Sequence, residues 1–130
     1  MKIHQGNDMP KETPIWVFSR TEDDEDFACL AGQWDGSRFW PWSSSKPSGD
    51  PKTQFEVILW SEAPFERAAL YQALLEALKG GEHWCERDHM IEDWMHRNAL
   101  RLVIAGEHDA IEIATLALKS RDIDFSRYYG

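Results

Sequence analysis

At 130 residues, with 42% hydrophobic and 28% charged side chains, the chain has the size and composition of one globular domain able to bury a core without metals or disulfides. Its net charge of −9, from 23 acidic against 14 basic residues, is spread along the chain. No basic cluster stands out, which argues against direct phosphate or anionic-membrane binding and fits a basic protein partner instead. Cys29 and Cys85 are too few for a disulfide scaffold and read as free thiols of a cytoplasmic protein. No apolar stretch reaches membrane-span length, and the opening MKIHQGNDMP is too polar for a signal peptide.

Residues 1–13 lack apolar periodicity and read as a flexible lead-in to a single α+β domain over 14–130. Residues 15–18 (IWVF) form the first β-favouring run, followed by the charged loop TEDDED at 21–26. Residues 28–34 and 38–42 flank Asp35-Gly36, a hairpin signal of the type I′ kind. Pro41 lies inside the second flank and marks it as an edge strand. Residues 43–53 (SSSKPSGDPKT) are a loop, and 54–60 (QFEVILW) a fourth strand.

Helical periodicity then takes over. Leu70, Leu74 and Leu78 share a face of a helix over 64–79, with Pro64 in its first turn and Gly80-Gly81 as its stop. A second helix covers 84–97. Residues 100–105 (LRLVIA) read as a strand closed by Gly106. Asp109 and Glu112 form a capping-box-like start to a third helix over 110–120, apolar around most of its girth and therefore expected to be well buried. Residues 123–125 could add a last short strand. The expected architecture is an antiparallel β-meander of about four strands followed by α-α-β-α, with the helices packed on one sheet.

Two clusters carry ligand-type side chains. Cys85, His89, Glu92 and His96 follow i, i+4, i+7, i+11 and share one stripe of the second helix, each a competent metal ligand. The apolar residues of that helix point the other way, so the stripe is expected to face solvent rather than to hold a metal. Glu107, His108 and Asp109 follow the expected strand at 100–105, where an acid-flanked His could act as a general base; a polar turn and N-cap accounts for them equally well. HExxH, GxSxG and a strand-linked Gly-rich phosphate loop are absent from the sequence. Cys29, within an apolar strand, reads as an inert core thiol.

The acidic run Glu22, Asp23, Asp24, Glu25 and Asp26 fails as an EF-hand, because Ala28 and Trp34 stand where glycine and a bidentate Glu are needed. Seven tryptophans are present, and Trp34, Trp40 and Trp42 surround the hairpin with Phe39. Strand alternation puts Trp40 and Trp42 on one face and Phe39 on the other, one of the two being core. The sequence therefore leads to a non-catalytic, acidic protein-binding module of the inhibitor, immunity or anti-defence type, with one variant in which carboxylates mimic nucleic-acid phosphates. The acidic run, Trp40 and Trp42 would form the partner surface, and no cofactor is expected. The alternatives are a metal protein or enzyme built on the second-helix stripe, and an assembly subunit whose tryptophans pack against copies of itself.

Overall fold

The computed structural model describes residues 1–6, 8–21, 26–42, 55–80 and 86–123. It is an α+β chain, an antiparallel sheet followed by helices, in two compact units, Met1–Phe65 and Glu66–Gly130.

Among its described residues, the first unit holds a five-stranded sheet of β1 (His4–Gln5), β2 (Ile15–Thr21), β3 (Ala28–Trp34), β4 (Phe39–Pro41) and β5 (Phe55–Ser61). Strand order is β1-β5-β2-β3-β4 with every pairing antiparallel. Strands β2 to β4 are the expected meander, and β5 crosses back to the far side of β2. That places β2 at the centre, where Ile15, Val17 and Phe18 are all buried. Near-continuous burial is what a run such as IWVF supplies. Strand β4 lies at the edge, where Pro41 costs no ladder bond. Phe39 is buried, whereas Trp40 is half-buried and Trp42 exposed, as strand alternation requires.

The segment 1–13, expected as a lead-in, supplies β1, which pairs with β5 and stacks His4 on Trp60 with ring centroids 4.1 Å apart. Met9 joins Ile15, Val17, Phe39, Val57 and Trp60 in the core of this unit.

The second unit contains α1 (Arg67–Gly80), α2 (Glu86–Ala105), α3 (Ala110–Leu118) and a 3-10 turn (Lys119–Asp122). Helix α1 begins three residues later than Pro64 suggests: Ser61 belongs to β5, and the first helical bond runs from Leu70 N–H to the Glu66 carbonyl, 2.9 Å.

The expected strand at 100–105 is a correction, since these residues are the last turns of α2. Nothing between His96 and Gly106 breaks a helix, and Leu, Arg and Ala are good helix formers, so α2 propagates to the first glycine. Gly106, at φ +70, ends it. Its N–H reaches the Val103 carbonyl and the Glu107 N–H reaches that of Leu102, both at 3.1 Å, the paired bonds of a Schellman stop. The third helix also departs from expectation: Ile113, Leu116 and Ala117 are buried, but Ile111 and Leu118 are exposed. The capping box does not form, because Asp109 makes no side-chain cap bond; its carboxylate is committed to Arg67. In the expected strand at 123–125, Ile123 is extended after the 3-10 turn, and the other two residues lie outside the described residues.

Candidate functional site

The hairpin between β3 and β4 is built around one carboxylate. Trp34 pairs with Phe39, so the loop has four residues, 35–38, rather than the two of a type I′ turn. Within it only Gly36 takes a positive φ, +102, where type I′ needs two such residues. Asp35 supplies what the turn lacks. Its Oδ1 accepts bonds from the Ser37 N–H at 2.7 Å, the Arg38 N–H at 2.8 Å and the Ser37 hydroxyl at 3.0 Å. Its Oδ2 accepts the Trp40 indole N–H at 2.7 Å.

Four donors on one carboxylate favour its charged form. The Trp40 bond first, then the Arg38 and Ser37 amides, hold the Asp35 carboxyl well below the usual range. The Arg38 guanidinium lies 4.8 Å from the Trp40 ring centroid, in cation–π range. Trp40 is thus fixed at its edge by Asp35 and on its face by Arg38. Trp42, two residues on, is 50% exposed, with its backbone N–H donating to the Ala31 carbonyl at 2.9 Å.

Of the acidic run, Glu22, Asp23, Asp24 and Glu25 lie outside the described residues. Asp26 accepts the N–H of Phe27 at 3.0 Å. Phe27 is buried, stacked on Phe18 at 5.0 Å, with Arg20 at 5.7 Å from its ring. Arg20 also bonds Glu56 across the β2–β5 pair at 2.7 Å.

The second-helix stripe does not face solvent, which corrects the expected orientation. The inward face of α2 is Asp88, Ile91, Glu92, Met95 and Ala99, and Asp88 and Glu92 are each 2% exposed. Ile91, Met95 and Ala99 set that face, and at 100° per residue positions 88 and 92 fall inside the same arc. Trp94 sits half-buried beside Tyr71, ring centroids 5.8 Å apart. His96 Nε2 lies 2.9 Å from the Ala117 carbonyl and 2.8 Å from the Ser120 hydroxyl, so its ring ties α2 to the end of α3. Cys85 lies outside the described residues.

Glu107, His108 and Asp109 are brought together, with one ligand-type atom of each within 4.8 Å of the others. A cation is already there: Arg67 Nε lies 2.9 Å from Asp109 and its NH2 3.4 Å from Glu107. This guanidinium comes from 40 residues upstream, and no spacing signal in the sequence announces it. The arrangement fastens the start of α3 to α1 and uses two of the three carboxylate-or-imidazole groups to do so.

Cys29 is exposed on β3 rather than part of the core, although burial around its sulfur pushes the thiol up to about 11.

No helix among the described residues is long and apolar enough to cross a membrane. No family model, curated protein or solved structure matches the chain.

Proposed function

We propose that the chain is a non-catalytic protein-binding module of the inhibitor, immunity or anti-defence type, which docks on a basic partner through the β3–β4 hairpin. The observation that carries this reading is Trp42, a large aromatic side chain half in water beside a Trp40 that is held rigid by Asp35 and Arg38. Rigid aromatic side chains lose little entropy on binding and are enriched among the residues that dominate interface energies. The net charge of −9 supplies long-range attraction to a basic surface, speeding encounter and setting specificity. The acidic residues 22–26 are the densest part of that charge, and in the nucleic-acid-mimic variant they stand in for phosphates.

The His and Glu side chains of the α2 stripe support the metal or enzyme alternative less well: Glu92 is turned into the fold and the His96 ring is bonded to Ala117 and Ser120. The test is capture from the native host on immobilised full-length protein, at low and high salt. Trp42→Ala should lose the captured partner while keeping the wild-type melting temperature. Replacing Asp23, Asp24 and Glu25 by Ser should weaken capture and flatten its salt dependence. A collapse in melting temperature for Trp42→Ala would assign that ring to the core, and unchanged capture by both variants would remove the hairpin and the acidic run from any interface.

A further inference from the structure

Among the described residues of the helical unit, two apolar stripes lie in water. On α2 they are Leu100, Val103 and Ile104, and on α3 Ile111 and Leu118; Ile104 and Ile111 are 86% and 83% exposed. Neither stripe is explained by the hairpin reading. Taken together, the two stripes would supply much of the ~800 Å² that each partner contributes to a stable interface. Single exposed leucines need no explanation, but large apolar side chains exposed at helical spacing on both α2 and α3 are the kind of surface that an interface covers.

The charges beside the stripes differ in sign. On α2, Arg97, Leu100, Arg101 and Ile104 fall within about 100° of arc; Asp93 shares that arc a turn before Arg97, which leaves Arg101 as the cation beside Leu100 and Ile104. Arg101 thus puts a positive charge beside the apolar stripe of α2 in a chain of net charge −9. On α3, Ile111, Glu112, Thr115 and Leu118 occupy an arc of about 120°, and Ala110–Leu118 includes one acid and no base. One stripe carries Arg101 and the other Glu112, and every molecule carries both. A surface that contains its own complement suits a two-fold pairing, in which the same two patches meet twice.

We propose that the occupant of this face is a second copy of the chain. The α2 stripe of one protomer packs on the α3 stripe of the other, and Arg101 of each lies against Glu112 of the other. Two α2–α3 pairs then form a four-helix layer that removes all five apolar side chains of each protomer from water. The pairing is independent of the hairpin, which stays open to a different partner.

Sedimentation equilibrium of the full-length protein over a wide concentration range tests this. Wild type should fit a monomer–dimer equilibrium. Ile104→Asp, at a position exposed enough to leave the fold intact, should raise the dimer dissociation constant roughly a hundredfold, because a carboxylate is buried twice in an apolar contact. Arg101→Glu and Glu112→Arg should each weaken the dimer about tenfold, and the two together in one chain should restore it. Trp42→Ala should leave it unchanged. A wild type that stays monomeric at every concentration overturns the proposal. So does a dimer that survives Ile104→Asp, one that dissolves on Trp42→Ala, or a charge swap that fails to restore the pairing.

Discussion

Asp35 receives the indole N–H of Trp40 at 2.7 Å while its other oxygen closes the turn on Ser37 and Arg38. One carboxylate therefore fixes both the backbone path of the hairpin and the position of an aromatic ring two residues from Trp42. All four bonds favour the ionised form, so the folded pKa lies below the unfolded one. A group shifted down contributes fully above its unfolded pKa and loses that contribution as pH falls through the folded value. The Trp40 Nε1–H resonance should hold its position from neutral pH through the ordinary carboxylate range near ~4, and move only in stronger acid. Asp35→Ala should shift that resonance to a solvent-exposed value at neutral pH. A midpoint near 4 for wild type would show that the bond to Trp40 is not made in solution.

Gly32 is held to its identity by close approach. A Cβ there would lie 2.6 Å from the Phe39 ring and would also meet the Trp40 carbonyl. Both neighbours belong to β4, which pairs with β3 at this point, and Phe39 is part of the core. Neither can retreat without opening the pair. Gly32→Ala should cost about 2 kcal/mol, in the range of overpacking a filled site, read as a lower urea midpoint. A variant as stable as wild type would mean that β4 is free to shift.

The fate of these elements shows which physics a sequence displays. The β3–β4 hairpin is legible because its turn residues, its alternation and Pro41 all act locally. Trp40, Trp42 and Phe39 sort onto opposite faces for the same reason. The extent of α2 is not legible because residues 100–105 combine β-branched and apolar side chains, a pattern shared by a buried strand and a helix. In the helix, Leu100, Val103 and Ile104 lie off the face set by Ile91, Met95 and Ala99. The same boundary governs the ligand stripe, since a helix ending at 97 omits Ala99, which helps to fix the inward arc. Strand β1 is two polar residues, His4 and Gln5, and exists only through its pairing with β5. Arg67 could not be joined to Glu107 and Asp109, nor His96 to Ser120, because those pairings are made by packing across distant segments.

His96 gives a direct measure of such a tertiary link. Its Nε2 contacts the Ala117 carbonyl and the Ser120 hydroxyl, and Ser120 is fully buried. His96→Ala removes the ring that joins α2 to the end of α3 and should cost about 1–2 kcal/mol. Amide exchange should quicken first in the 3-10 turn Lys119–Asp122, before the centre of α2. Uniform exchange along both helices, with no loss of stability, would show that the ring does not tie them.

Cys29 is exposed at the residue level, so accessibility alone would make it a ready target for alkylation. Ionisation points the other way. Burial around the sulfur pushes the thiol up to about 11, and the thiolate is the reactive form. At pH 7 the thiolate fraction is on the order of 10⁻⁴, some hundreds of times below that of an ordinary cysteine thiol. In a Cys85→Ser background, the iodoacetamide rate at Cys29 should therefore be slow at neutral pH and climb about tenfold per pH unit to near pH 11. A rate that levels off near ~8.5, the value of a free thiol, would mean that water reaches the sulfur and that exposure governs its chemistry.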